Sequence, residues 1–172
     1  MFILLVLSLP AAGQKMVAEK SKISFFSKAA VEDISAVNVK TQSILNTGTN
    51  ELVFIVPIQE FDFERGLMKE HFNEKYMETE KFPKATFQGK IEGFDPKGSG
   101  EQHAVAKGKM TIHGVVKELE IPGTIEVTAN GLALNTKFFI KLADFNITIP
   151  TMFFKHIAEQ VEVTAEFTYK PQ

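Results

Sequence analysis

Three carboxylates alternate with two aromatic rings near the middle of the chain, in the order Glu60, Phe61, Asp62, Phe63, Glu64. In an extended segment, residues two apart share a face, so the three acids would lie together. Such a cluster could supply a general acid and base, or bind calcium. An acid and a base need unequal environments to separate their pKa values. Nothing in this pattern buries one acid alone, so we predict a solvated outer face.

The four histidines, which could transfer protons or bind metals, lie far apart at positions 71, 103, 113 and 156. No two have the short spacing that builds a metal site on one helix or strand. The chain has no cysteine, which excludes thiolate zinc sites and cysteine nucleophiles. We predict no metal and no cofactor. His71 is a candidate for a hydrogen bond to a ligand head group, whereas His113 is expected to order a turn.

Enzymatic and nucleic-acid-binding signatures are missing from the sequence. No Gly-x-Ser-x-Gly, glycine-rich phosphate loop or dinucleotide fingerprint occurs, and these mark common nucleophilic and nucleotide-binding sites. The net charge is -2, and Arg65 is the only arginine. Nucleic-acid-binding proteins usually carry a basic stripe with arginines that contact phosphates and bases. We therefore predict a protein that is not an enzyme and binds no nucleic acid.

The elements that must position any site are extended, because apolar residues recur at every second position. The chain has 16 phenylalanines and no tryptophan, and phenylalanine supplies large apolar area without a polar atom that needs a partner. Turn-forming residues separate eight alternating segments. The predicted strands are Lys22–Ser27, Ser35–Ile44, Glu51–Pro57, Ala85–Phe94, His103–His113, Lys117–Val127, Leu132–Leu142 and Val161–Tyr169. Eight strands with short connections favour an antiparallel up-and-down barrel.

A short helix is predicted between the third and fourth of these strands. Met68, Phe72 and Tyr76 recur at every fourth position, which places them on one helical face. Pro83 disfavours helical backbone in the residue before it, so the helix ends by that point. Two-residue alternation begins at Ala85. We expect the helix to cover one end of the sheet.

Three stretches together resemble a known family. They are Leu67–Glu74 (LMKEHFNE), Lys81–Phe87 (KFPKATF) and Met110–Lys117 (MTIHGVVK), and in this order they resemble the YceI family over most of the chain after residue 20. The resemblance implies an all-β fold, an eight-stranded antiparallel lipocalin-like barrel with a short helix between strands, that binds polyisoprenoids in the periplasm. Many members carry a histidine after the first strand, where this chain has Ser27-Lys28-Ala29-Ala30, so ligand contacts built on that histidine do not transfer.

The first thirteen residues have the character of a targeting segment. They are uncharged and join the apolar run Phe2–Leu9 to Pro10 and three small residues. This pattern predicts a signal peptide over residues 1–13 with cleavage before Gln14, and a buried N-terminal strand is the alternative. The run is too short to span a membrane. Residues 14–172 are then predicted to form a single YceI-like barrel domain in the periplasm, with no stable membrane insertion after cleavage.

An eight-stranded barrel is wide enough either to be packed by its own side chains or to hold one elongated ligand. Small residues expected on the inward face would leave room, at Ala85, Gly89, Ala106, Gly108 and Ala133. The candidate ligand-binding residues are Phe25, Phe61, Phe63, Phe72, Phe87, Met110, Phe138, Phe153, Phe154 and His71. Of these, Phe153 and Phe154 are the candidates for closing one end.

The leading hypothesis is a periplasmic carrier or storage protein for an isoprenoid, a quinone-like compound or another long-chain amphipathic lipid. The alternative is an interaction or structural protein whose barrel is filled by its own side chains. An enzyme ranks third, because the histidines and the carboxylates of residues 60–64 would have to meet in one cleft. The sequence leaves open the ligand's identity, homodimer formation, and whether the barrel opens at the helix end or at the Phe153 end.

Overall fold

The computed structural model describes residues 13–28, 33–148 and 158–172. Its strands are β1 (Lys15–Ser27), β2 (Ile34–Asn38), β3 (Gln42–Asn46), β4 (Glu51–Pro57), β5 (Asp62–Phe63), β6 (Lys84–Glu92), β7 (Gly100–Ile112), β8 (Val115–Thr128), β9 (Gly131–Lys141) and β10 (Gln160–Pro171). All pairs are antiparallel, and β10 pairs with β1, which closes the barrel. Because β2 and β3 both pair with β1 and β5 only extends β2, eight strand positions form the wall. The predicted eight-stranded antiparallel barrel is confirmed.

The second strand was predicted as one continuous strand, Ser35–Ile44. This is wrong, because the segment forms two strands, β2 and β3, with a break after Asn38. The Asn38 side chain is fully buried. Its Nδ2 donates to the Pro57 carbonyl at 2.8 Å, and its Oδ1 accepts from the Lys40 N–H at 2.8 Å. Local bonds of this kind give the backbone an alternative to the strand ladder. The ladder therefore stops at Asn38 and resumes at Gln42.

The predicted helix is present as α1 (Gly66–His71), which continues as a π-helical turn over Phe72–Tyr76. It ends before Pro83, as predicted. Tyr76 and Met77 are buried in the same core as the strands. The apolar face of the helix therefore packs down onto the barrel.

The barrel has two ends of different construction. We call the end where β1, β4, β7 and β9 finish the helix end, because α1 lies there, and the opposite one the turn end. The turn end carries the connections 47–50, 93–99 and 129–130. Since β9 finishes and β10 begins at the helix end, residues 148 and 158 also lie on that side. Phe153, which marks the other end that the sequence left open, lies outside the described residues.

Candidate functional site: an apolar lumen

The barrel encloses an apolar cavity of about 180 Å³. Among the described residues that line it, only Thr124 and Thr136 carry a polar side-chain group. Polar or charged guests would lose hydration there without finding hydrogen-bond partners. An apolar guest gains about 0.8 kcal/mol for each CH₂ group that it buries. The lining is therefore suited to a hydrocarbon chain.

Six of the predicted site residues line this cavity: Phe25, Phe61, Phe72, Phe87, Met110 and Phe138. Phe63 does not line it and instead packs behind Phe25 and Phe72. His71 lies on α1, half-buried and outside the lining. Phe153 and Phe154 lie outside the described residues. The structure thus gathers most of the predicted set around one space, and their contact with a ligand stays a prediction.

The room in the lumen comes from alanines rather than glycines. Ala85 and Ala106 line the cavity, as predicted. Gly89 and Gly108 are register partners, and a Cβ on either would meet the backbone of the opposite strand. Ala133 was predicted to face inward, which is wrong because its neighbours Leu132 and Leu134 are buried and line up with Ile140 on the inner face of β9. Successive side chains of a strand point to opposite faces, so Ala133 lies on the outer face.

Four phenylalanines close the cavity at the helix end. This helix-end cluster consists of Phe25, Phe61, Phe63 and Phe72, in which five ring pairs have centroids 5.0–5.8 Å apart. Phe25 and Phe72 are stacked, and the other pairs are tilted or edge-on. Aromatic pairs in these geometries add about 0.5–1.5 kcal/mol each beyond area burial. Ring contacts in the cluster join Phe25 on β1 to three rings of the segment 61–72.

The turn end is closed by a buried hydroxyl pair. The Tyr169 hydroxyl and Ser43 Oγ lie 2.7 Å apart, and Ser43 Oγ donates to the Val53 carbonyl at 2.9 Å. Because that bond uses the serine proton, Tyr169 donates to Ser43. Burial raises the pKa of the Tyr169 hydroxyl above its ordinary value, and the hydrogen bond between Tyr169 and Ser43 only partly opposes this. The phenol therefore remains a neutral donor.

Ser43→Ala is expected to destabilise the barrel more than Tyr169→Phe does. The alanine leaves the buried tyrosine hydroxyl without a partner, which costs about 1–3 kcal/mol, whereas losing a satisfied hydrogen bond costs about 1 kcal/mol. In Tyr169→Phe, Ser43 keeps its bond to Val53. Urea denaturation of both variants measures the difference, and equal losses would contradict the donor order inferred here.

Phe54 and Phe167 are lining residues that the sequence interpretation missed. Phe54 stacks on Phe87 with ring centroids 5.1 Å apart, and Phe167 lies 6.1 Å from Phe54. The signal was available, since Phe54 alternates with Leu52 and Val56 along one face of β4. These rings add aromatic wall to the cavity from β4, β6 and β10.

His113 links three segments next to the helix end. Its Nδ1 lies 3.2 Å from the Phe145 carbonyl oxygen and its Nε2 lies 2.8 Å from a Glu78 carboxylate oxygen. Its ring meets that of Phe82 edge-on at 4.6 Å. The residue does not line the cavity. This geometry agrees with the predicted role of His113 in ordering the turn that leads into β8.

The predicted carboxylate face is confirmed, because Glu60, Asp62 and Glu64 are all exposed. Asp62 forms an ion pair with Lys69 at 3.1 Å. Within the described ranges, no group of three or more His, Asp or Glu residues could hold a metal ion. In the same part of the chain, no helix has the length and apolar character needed to cross a membrane.

The sequence comparison establishes the family. The family model for the YceI-like domain matches residues 15–169. The chain belongs to the YceI family. Comparison with curated proteins gives no match.

Solved structures with the same fold come from several bacteria. A polyisoprenoid-binding domain from Saccharophagus degradans, implicated in plant cell wall breakdown, has 14% identity and a TM-score of 0.79, covering 93% of this chain and 99% of its own. Burkholderia cenocepacia BcnA has 19% identity and a TM-score of 0.72, covering 86% and 94%. The Campylobacter jejuni YCEI protein has 20% identity and a TM-score of 0.60, covering 84% of each chain. At these identities the likeness establishes the fold alone.

Proposed function

We propose that this YceI-like protein encloses the apolar chain of an isoprenoid or quinone-like lipid in its lumen, and acts in transport or storage without catalysing a reaction. The observation that carries the proposal is the cavity itself, which is lined almost entirely by aliphatic and aromatic side chains. The Saccharophagus degradans neighbour is described as a polyisoprenoid-binding domain. Both support a lipid as the ligand.

The size of the cavity defines how a long chain would be held. Ligand pockets usually measure roughly 300–1,000 Å³, and this one measures about 180 Å³. A chain of several isoprene units therefore needs side chains to move. The rings of the helix-end cluster can rotate without breaking any hydrogen bond, since phenylalanine has no polar atom. We infer that they swing aside as the guest extends.

We further propose that the protein acts in the periplasm after removal of residues 1–13. The apolar, uncharged character of this segment supports a signal peptide, and residues 1–12 lie outside the described part. The mature chain from Gln14 would then be a single barrel domain, in agreement with the family match over residues 15–169. Such a chain meets its lipid in an aqueous compartment next to a membrane.

Native mass spectrometry of the protein purified from its producing cell tests these proposals together. We expect a mature chain that begins at Gln14 and carries one prenyl lipid per barrel, released on denaturation. The same spectrum reports whether the protein is a monomer or a homodimer. A bare barrel that also takes up no added prenyl lipid would overturn the lipid-binding proposal.

The filled-barrel alternative is favoured by one observation, the modest cavity volume. In that case the protein would present its loops to a partner and hold no guest. A mass spectrum without lipid, combined with no uptake of prenyl probes, is the result that this alternative predicts.

A further inference from the structure

The wall of the barrel is incomplete between β8 and β9. These strands pair only from Gly123 with Thr136 to Thr128 with Gly131, in the half next to the turn end. In the half next to the helix end, β8 pairs with β7 and β9 pairs with β10. Among the described residues, no strand pair joins 115–122 to 137–141. We call this unpaired half the β8–β9 gap.

The gap begins at a proline, which gives it a sequence cause. Pro122 lies next to Gly123, the last residue of β8 that pairs with β9. As a proline, it has no N–H to donate to a ladder. Its carbonyl is satisfied by a side chain instead, because Thr136 Oγ1 donates to it at 2.6 Å. Gly123 at the fork allows close approach, since a Cβ there would lie 2.6 Å from the Asn135 carbonyl oxygen. The two strands therefore meet tightly at Gly123 and separate immediately beyond it.

The cavity reaches the gap from the inside. Ile121 on one margin and Phe138 and Ile140 on the other all line the cavity. The 3₁₀ segment Leu142–Phe145 follows β9 and contacts β8, and the carbonyl of Phe145 accepts the hydrogen bond from His113. The inner side of the gap is thus covered by apolar side chains rather than by a backbone ladder.

The outer side of the gap carries two exposed apolar side chains among charged ones such as Glu118, Glu120 and Lys137. Phe139 on β9 is 60% exposed and Val116 on β8 is 55% exposed. A surface groove that runs from β7 to Lys137 shares Ala104, Gly123 and Thr124 with the lining of the cavity. The interior and the surface are therefore separated by a thin wall where the gap begins.

Other routes into the cavity would require backbone hydrogen bonds to break or a larger group of packed side chains to move together. Parting any fully paired strands costs their backbone hydrogen bonds, each about 0.5–1.5 kcal/mol net. The helix end requires four interlocked rings to move together with α1, and the turn end is filled by Tyr169 and Leu45, both almost fully buried. The margins of the gap share no ladder, so opening it requires apolar side chains and the segment Leu142–Phe145 to shift, with the single hydrogen bond from His113 to the Phe145 carbonyl.

We propose that the apolar tail of the ligand enters and leaves the lumen sideways through the β8–β9 gap, with Phe139 and Val116 as its first contacts. This inference rests on the proposed lipid-binding function. It adds the route, and it assigns the outer faces of β8 and β9 near the helix end as the surface that meets the lipid.

Cross-linking across the gap tests this route, and the natural absence of cysteine gives a clean background. Continuing the register of the paired half places residues 120 and 139 opposite each other. The double variant Glu120→Cys, Phe139→Cys is joined with a short bismaleimide, and uptake and release of a dansyl-labelled farnesyl probe are followed by stopped flow. We expect both rates to fall by at least about tenfold on linking, a barrier increase of about 1.4 kcal/mol, with little change in affinity.

The matched control is Glu126→Cys, Ala133→Cys, an outward-facing register pair in the closed half of the same two strands. Linking this pair should leave both rates unchanged. Equal rates before and after linking residues 120 and 139 overturn the route but not the lipid-binding function. Absence of probe uptake by the wild-type barrel overturns the function and the route with it.

Amide hydrogen exchange of the wild-type protein tests the gap without any ligand. Amides on the gap-facing sides of residues 115–121 and 137–141 should exchange faster than those between β8 and β9 in the paired half. Protection as strong as that of the paired half would overturn the gap itself.

Discussion

Ala106→Phe is expected to abolish binding of a prenyl chain while the barrel stays folded. Ala106 lines the cavity on β7, and a benzyl group in its place would occupy the space available to a guest. Each displaced CH₂ group of the ligand forfeits about 0.8 kcal/mol. Displacing four or more of them weakens binding by at least about a hundredfold. Titration with the dansyl-labelled farnesyl probe measures the loss.

Ala133→Phe is the matched control for this prediction, because it makes the same change on the outer face of β9. It should bind the probe as tightly as the wild-type protein does. Circular dichroism during heating shows whether each variant is folded. A folded Ala106→Phe protein with unchanged affinity would show that the guest binds somewhere other than the lumen.

Gly89→Leu is expected to destabilise the barrel strongly, by about 3 kcal/mol, the upper part of the usual range for overpacking. The Cβ at this position would meet the Lys107 carbonyl oxygen, and it would lie 2.8 Å from the Gly108 Cα and from the Phe87 ring. Two of these three contacts are backbone atoms of β7, which cannot rotate away. The strands would have to separate. The free energy of unfolding in urea measures the effect.

Gly66→Leu provides the comparison, since a Cβ at Gly66 meets nothing within 4 Å and the residue is exposed on α1. Its effect on the free energy of unfolding should be small. If Gly89→Leu were tolerated equally well, β6 and β7 could not approach as closely as the structure has them.

Much of the lumen could be predicted from the sequence, because alternation reports which side of a strand faces the core. Phe87, Met110 and Phe138 were placed on the inward face for this reason, and they line the cavity. The same rule fails where alternation is interrupted. Strand β1 begins at Lys15 rather than at the predicted Lys22. Its register against β10 shifts between Ala18 and Lys20, within the part that the prediction missed. A bulge shifts the two-residue pattern and hides the strand beyond it.

Features that depend on pairing between distant segments could not be read from the sequence. The break at Asn38 depends on the Pro57 carbonyl that its side chain reaches. The inward position of Gly89 could be predicted, but its lack of free space is set by Gly108 across the strand pair. The β8–β9 gap likewise could not be predicted, because the sequence does not show which neighbouring strand faces Pro122, the residue that has no N–H to donate. Local patterns define faces, whereas register decides how much room lies between them.

The two tyrosines lie at opposite ends of the barrel, and their positions make each end optically distinguishable. The chain has two tyrosines and no tryptophan. Tyr76 is buried as the last residue of the π-helical turn, and Tyr169 is buried at the turn end. Tyrosine emission from the unlabelled protein therefore arises from these two positions alone. Replacing either one with phenylalanine leaves a single intrinsic reporter, so local loosening at one end can be separated from loosening at the other.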